Sequence, residues 1–362
     1  MISEKTHEKV YASLNRPKTV VEEILKKRAG DINKIMVEMI SFLEPVELRE
    51  AVGHLISAGG KRARAVISLL SCEAVGGEQK FALPAAVSCE FIHTASLVHD
   101  DIVDVNETRR GKESVHITWG VPTGVLVGDL LLAMGTKAML EIANRVAIFT
   151  PDEVSMTNMS KSAFDDALNT LSLFTDAWIT LCQGKEVDVV LKKKRIASEE
   201  DVFKMMYQKT AVLYEISAKS GATAGNGSTE EIKGLGDYGK LMGLAFQIKD
   251  DILGLIADET EFGKPVGMDI REGKKTIMVV HALSNGGDKD AIYGALGNEE
   301  ASPNQIISAI ESIKEAGSID YAKKMAVSLG ERAKKSLDIL QPSDARNNLL
   351  DLADYLVDKR EW

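Results

Sequence analysis

Between Pro151 and Pro265 the chain runs for 113 residues without a proline. The stretch is rich in Ala, Leu, Lys, Glu and Met and holds no alternating Val/Ile/Thr run bounded by turns, so it reads as several long helices. Upstream, the apolar residues Val21, Ile24, Leu25, Ile32, Ile35, Met36, Met39 and Ile40 recur at three- and four-residue intervals. That spacing predicts an amphipathic helix from Val20 to Phe42, interrupted at most near Gly30, and a second follows from Val46 to about Ala58. Ser198-Glu199-Glu200-Asp201, Ser228-Thr229-Glu230-Glu231 and Ser302-Pro303 are helix-start signals. Ser284-Asn285-Gly286-Gly287-Asp288 is a surface turn, and there is no repeat, low-complexity tract or long linker. The expectation is a polar N-terminal arm over residues 1–18 and one all-α domain, a single large helical bundle with a central cavity, over residues 19–362.

At 362 residues with 44% hydrophobic content the chain can bury a substantial core. A net charge of −10 argues against a nucleic-acid-binding surface, so any anion site has to be local. Cys72, Cys89 and Cys182 form an odd set in apolar surroundings without CxxC spacing, which suits buried thiols in a reducing cytoplasm. The start shows no basic region leading into an apolar run, and nowhere do 18 apolar residues follow one another. The expected protein is cytoplasmic, neither secreted nor membrane-spanning.

Charge is concentrated where the helices are most apolar. The segment Ala85–Val98 has helical spacing and leads into His99-Asp100-Asp101-Ile102-Val103-Asp104. On a helix Asp100 and Asp104 share one face, about 6 Å apart at Cβ, with Asp101 roughly 100° round. Like charges this close repel, which disfavours the cluster as pure structure and favours a hard divalent cation, magnesium above all. A solvated acidic helix end accounts for this motif, taken alone, at least as well. A second acidic pair, Asp250-Asp251 after Gln247, follows the apolar run Leu241–Phe246. The repetition suggests two walls of one cavity facing each other across bound metal. Gly254 stands where the first motif has Asp104, so metal ligation at the second should be thinner.

Cations accompany both motifs. Gly59-Gly60-Lys61-Arg62-Ala63-Arg64 puts two glycines before a basic cluster, in which Lys61 and Arg64 would share a helix face and suit phosphate. Arg109-Arg110, Lys209-Thr210, Gly263-Lys264-Pro265 and Glu272-Gly273-Lys274-Lys275-Thr276 follow along the chain. Each alone reads as surface charge. Together with two acidic sites in an acidic chain they make a cage for metal-bound diphosphate.

With Gly-Gly-Lys-Arg-x-Arg, His93 ahead of Asp-Asp-x-x-Asp, Arg-Arg-Gly-Lys, Gly128-Asp129, Lys209-Thr210, Phe246-Gln247 with Asp250-Asp251, Gly-Lys-Pro and Glu-Gly-Lys in order from Gly59 to Thr276, the chain resembles the trans-isoprenyl diphosphate synthases. This is the polyprenyl synthetase family, which includes farnesyl and geranylgeranyl diphosphate synthases. The resemblance implies that Asp100 and Asp104, opposite Asp250, bind the Mg2+ ions that hold an allylic diphosphate, with Asp101 and Asp251 in support. It assigns Arg109, Lys209, Thr210, Gln247 and Lys264 to that diphosphate and has Lys274 close over it. Isopentenyl diphosphate falls to Lys61, Arg64, His93 and Arg110; without the family context, His93 reads more readily as a satisfied core histidine. The resemblance alone also implies a homodimer.

In this family, product length depends on bulk below the first motif. Here Ser96 and Ala95 precede Asp100 by four and five residues, so the channel is expected to stay open past Ile92 to Ser88 and the product to be geranylgeranyl or longer. Besides Gly254, Ala65 and Glu113 replace usual prolines, and Lys185 a usual glutamine; Lys185 faces either the first aspartate site or solvent. The other readings are a low-activity regulatory subunit of a heteromeric synthase, against which the intact first motif argues, and a class I terpene cyclase, which would not need Lys61, Arg64, His93 and Arg110.

Overall fold

Local capping chemistry sets where several helices begin in the computed structural model, which describes residues 18–148, 161–256 and 267–357. The arm over residues 1–17 and Lys264 lie outside the described residues, and Lys18 already opens the first helix. The described residues are helical nearly throughout: α1 Lys18–Ile40, α2 Val46–Ser57, α3 Ala63–Ala74, α4 Gln79–Val103, α5 Val115–Trp119, α6 Val121–Ile148, α7 Lys161–Lys193, α8 Glu199–Met206, α9 Val212–Ala224 and α10 Thr229–Ile256. After these come α11 Met268–Arg271, α12 Ile277–Ser284, α13 Lys289–Ala295, α14 Pro303–Glu315, α15 Ser318–Ser336 and α16 Asp344–Val357. The expected all-α class holds, and α1 runs through Gly30 without a break. Ser198 caps α8 through a capping box with Asp201, and Ser302 caps α14 with Gln305. At α10, Ser228 and Glu231 exchange the same reciprocal bonds. Each box satisfies amide donors that a helix start leaves orphaned.

The only strands among the described residues are β1 Thr108–Arg109 and β2 Lys112–Glu113, an antiparallel pair in which Thr108 faces Glu113 and Arg109 faces Lys112. Arg110 and Gly111 form the two-residue turn with φ of 54° and 73°. A positive φ at both central positions matches the twist of a tight hairpin.

The described residues fall into two compact units. The first is drawn from Met1–Trp178, Leu213–Gly239 and Ser336–Leu352, the second from Ile179–Val212, Lys240–Lys335 and Ala353–Trp362. In the first, Ile32, Met36, Leu55, Leu69, Phe91 and Leu131 are among the residues of one buried core. There α6 lies directly on α4, because glycines stand where the two meet: a Cβ on Gly128 would enter the His99 ring, and one on Gly135 would sit 3.0 Å from Ile92 Cγ1. Only residues without a side chain allow such an approach. Helix α4 is long and apolar enough to cross a membrane, but 72% of its most apolar window is buried, as a core helix requires; the corresponding window of α6, Val121–Leu140, is 44% buried. In the second unit Ile252, Ile277, Met278, Ile292, Ile313 and Leu356 are buried, and the buried Lys249 ammonium donates to Val357 O (2.8 Å) at the end of α16.

The cysteine expectation holds in two cases out of three. Cys72 and Cys89 are buried, and burial pushes their thiols up to about 11 and about 12, so neither is a thiolate at neutral pH. Cys182 is exposed, because it occupies an outward position of α7.

Candidate active site

In the first unit the aspartate motif closes α4. Asp104 is the C-cap residue and donates its N–H to Asp100 O (2.8 Å), which keeps the two one helical turn apart. Asp101 is 1% exposed, and both its carboxylate oxygens accept from Arg109: Nε lies 3.0 Å from Oδ1 and 3.2 Å from Oδ2, and Nη2 also donates to Oδ1. Burial pulls the Arg109 guanidinium down, but the bond to Asp101 more than offsets it and its pKa rises. The hairpin thus returns Arg109 to the helix from which the chain has just left.

Beside it stands a cationic pocket. Spacing alone places Lys61 and Arg64 on one helix face; the structure corrects this, because α3 begins only at Ala63 and Lys61 lies in the loop before it. Arg62 is left-handed (φ 48°) and turns inward, with Nη1 3.2 Å from Glu90 Oε2, Nε 2.8 Å from Asn33 Oδ1 and Nη2 2.9 Å from Ile56 O. Glu90 also accepts from the Ala65 N–H (3.3 Å). A proline at 65 has no such hydrogen, which accounts for alanine there. Arg64 stacks its guanidinium 4.4 Å from the centre of the Tyr214 ring, and its buried Nε has no hydrogen-bond partner. Arg110 reaches back to Gly59 O (2.6 Å), and burial together with Arg62 lowers its pKa to about 10.

His93 sits among these guanidiniums, and burial, then Arg64, Arg110 and Arg62, hold its pKa well below the usual 6.5. It is a neutral hydrogen-bonding group at working pH, not a fourth cation. The sign of the linkage follows: the unfolded chain takes up a proton near pH 6.5 that the folded protein refuses, so the contribution is intact above that pH and is lost as pH falls below it. As pH falls from 6.5 to 5 the wild type should lose stability more steeply than His93→Gln in urea unfolding, the difference in slope approaching at most about 1.4 kcal/mol per pH unit. Equal slopes for the two proteins would show that His93 titrates normally.

The second unit repeats the division of labour. Asp250 is partly exposed, like Asp100, while Asp251 is 1% exposed and takes a cation from downstream. Its Oδ1 accepts from Lys274 Nζ (2.8 Å) and Gln247 Nε2 (2.9 Å), and Thr210 Oγ1 donates to Gln247 Oε1 (2.6 Å). Lys274 also donates to Asp269 Oδ2 at 3.1 Å. Burial raises the Asp251 pKa, and although burial alone would lower that of Lys274, the Asp251 and Asp269 carboxylates carry it well above its ordinary value. Lys209 sits on a π-helical turn, Tyr207–Ala211, with Nζ 2.6 Å from Asp188 Oδ2. Burial pushes Asp188 up, but Lys209, with help from Lys192 and Lys185, holds its carboxyl below the usual range. Gly184 admits the turn: a Cβ there would lie 2.6 Å from Lys209 N.

Three residues of the site carry no role in the motifs: Glu90, Asp188 and Asp269. Asp269 bears on Gly254, because a Cβ at 254 would lie 3.0 Å from Asp269 Oδ2. Asp269 Oδ2, which accepts from Lys274, thus lies where a side chain at 254 would reach, and an aspartate at 254 would press a like charge against it. Gly254→Asp should lower kcat by about tenfold through the disturbed Lys274 pairing. A steady-state assay reads this, and unchanged turnover would leave the proximity of Asp269 without consequence.

The exposed donors are hard oxygens, and Asp251 Oδ2 is buried with no partner. Among the described residues no three His, Cys, Asp or Glu side chains gather into a ready metal cage. Hard carboxylate oxygens of this kind are the donor type that magnesium takes, together with its own waters and substrate phosphate.

Residues 45–313 match the family model described as polyprenyl synthetase. The short chain isoprenyl diphosphate synthase of Methanothermobacter thermautotrophicus is 38% identical over 94% of this chain and 98% of its own length. The geranylgeranyl diphosphate synthase of Methanosarcina mazei is 33% identical over the same shares. The crystal structure of geranylgeranyl pyrophosphate synthetase from Pyrococcus horikoshii superposes with a TM-score of 0.81 at 38% identity, covering 94% of this chain and 99% of that one. With motif order, helical architecture and full-length similarity in agreement, the chain belongs to the polyprenyl synthetase family.

Proposed function

We propose that the protein is a prenyltransferase that condenses isopentenyl diphosphate head-to-tail with an allylic diphosphate to give a trans-polyprenyl diphosphate, geranylgeranyl diphosphate in the first instance. The observation that carries the reading is the pocket of Arg64, Arg110 and neutral His93 in the same unit as Asp100 and Asp104, with the buried Arg64 Nε lacking a protein acceptor. A buried guanidinium N–H without a partner is costly unless an anion completes it. A cyclase would have no use for this pocket, and the relatives above are named as synthases.

In this reading Asp100, Asp104 and Asp250 hold Mg2+, supported by Asp101 and Asp251. When bound, the ion stabilises the charge that develops on the departing diphosphate. Arg109, Lys209, Thr210, Gln247, Lys264 and Lys274 bind and orient the allylic diphosphate. Asp101, Asp188 and Asp251 fix four of those groups, Arg109, Lys209, Lys274 and Gln247, so that charge stabilisation is preorganised. Lys61, Arg64, His93 and Arg110 hold isopentenyl diphosphate with its double bond toward the allylic carbon. The carbocation left as the C–O bond breaks needs a dry surrounding, which the apolar wall of α4 supplies. No side chain is assigned as a general base; the released diphosphate takes the final proton.

The test is to incubate the protein with magnesium, isopentenyl diphosphate and, separately, dimethylallyl, geranyl and farnesyl diphosphates, and to size the chains. A twenty-carbon product is expected, and no elongation from any primer would reject the function. For chain length the probe is Ser96 rather than Ala95. Ala95 is 0% exposed in the α4–α6 core, so Ala95→Phe would overpack it at about 1–3 kcal/mol, whereas Ser96 is only partly buried. Ser96→Phe should shift the main product to fifteen carbons or fewer, and an unchanged profile would remove Ser96 from the channel wall.

A further inference from the structure

The second unit contains an open cleft of about 540 Å³ whose lining holds none of the residues proposed to touch substrate, although Lys192 also bears on Asp188 and Lys275 directly follows Lys274. Five cations line it, Lys192, Lys193, Lys194, Arg195 and Lys275, against one carboxylate, Glu272, which pairs with Lys192 at 3.3 Å. Its volume falls in the range of small-ligand sites, roughly 300–1,000 Å³. Tyr293 stands in the wall beneath Arg195, whose guanidinium lies 5.1 Å from the centre of its ring.

Lys275 is the informative member. It is 5% exposed, donates to Gly273 O (3.0 Å) and Lys192 O (3.3 Å), and has no ion-pair carboxylate among the described residues. Its neighbour Lys274 reaches two carboxylates; Lys275 reaches only carbonyls. An ammonium has three N–H donors, so one remains unassigned. Capping of the α7 C-terminus explains part of the arrangement, since Lys192 O is one of the orphaned carbonyls of that helix end. It does not explain the rest. A helix C-terminus carries only about half a negative charge, whereas this cleft has a net charge of about +4 in a protein of −10. Removing a cation from water without a counter-charge is unfavourable, and gathering four more around it compounds the cost unless an anion enters.

We propose that this cleft is a second anion site, separate from the catalytic one, which takes a phosphate or diphosphate group, with Lys275 at its floor and Lys193, Lys194 and Arg195 at its rim. The same group can arrive as a free anion or as the headgroup of an anionic lipid. The exposed Ile196 beside the rim is compatible with either source.

The experiment uses the full chain with divalent metal chelated. Inorganic diphosphate is titrated calorimetrically into the wild type, into Lys194→Glu/Arg195→Glu, whose positions are exposed and leave the core untouched, and into Lys275→Met. The wild type should show one more class of sites than either variant. Each variant should lose that class from the isotherm or bind it at least about tenfold more weakly, while elongation by the rim variant stays at the wild-type rate. In parallel, phosphatidylcholine vesicles with and without phosphatidic acid are sedimented with the same proteins. Diphosphate binding without vesicle binding identifies a free anion as the ligand; phosphatidic-acid-dependent sedimentation that disappears in the rim variant identifies a headgroup. Identical isotherms for wild type and both variants, with no phosphatidic-acid-dependent sedimentation, would overturn the site. Failure here leaves the elongation assay unaffected, so the two readings fail separately.

Discussion

Replacing Asp100 with Ala should lower kcat by about a thousandfold or more while leaving the fold in place. The carboxylate stands in the last turn of α4, partly exposed, where alanine is an excellent helix residue, so little packing is lost. On the proposed function the loss is charge stabilisation worth several kcal/mol at the departing diphosphate, and each 1.36 kcal/mol is a factor of ten. Steady-state kinetics with a saturating allylic primer, beside a thermal melt, separate the two effects. Turnover within tenfold of wild type at an unchanged melting temperature would remove Asp100 from metal binding. Asp101→Asn is the instructive contrast: that side chain holds Arg109, so its loss should appear in stability and in allylic-substrate KM as well as in kcat.

Glu90→Ala should destabilise the first unit by about 3–5 kcal/mol, the range for breaking a buried ion pair by removing one partner. Arg62 and Glu90 have side chains 0% and 2% exposed, so removing the carboxylate leaves a buried guanidinium with only Asn33 and Ile56 O, and it also strips the Ala65 N–H of its acceptor. Because Arg62 sets the path of the loop that carries Lys61 and leads into α3, where Arg64 stands, isopentenyl diphosphate KM should rise as well. Urea unfolding reads the stability, and the double variant Arg62→Met/Glu90→Leu should recover much of it, since apolar replacement of a buried pair is often neutral. A loss below about 1 kcal/mol for Glu90→Ala would mean that Arg62 finds another partner or reaches water.

Helix class, helix starts and the two acidic motifs were legible from the chain alone, because each depends on residues within a few positions of one another. Periodicity runs α1 through Gly30, and Ser198, Ser228 and Ser302 find their capping partners three residues on. The arginines were legible as cations but not as partners. Nothing in Lys61-Arg62-Ala63-Arg64 says that Arg62 turns inward and Lys61 stays off the helix; that is decided by Glu90, 28 residues downstream on α4. Asp188 and Asp269 were invisible for the same reason, standing outside the motifs until folding sets them 2.6 Å from Lys209 and 3.1 Å from Lys274.

The sequence by itself therefore determined the elements and the chemical types available to the site. Only the tertiary structure decided which aspartate of each pair stays partly exposed and which is buried on a cation, Asp101 on Arg109 and Asp251 on Lys274. The physical reason is that hydrogen-bond geometry within a helix is local, whereas the strength and sign of an ion pair's effect depend on how far folding removes both charges from water.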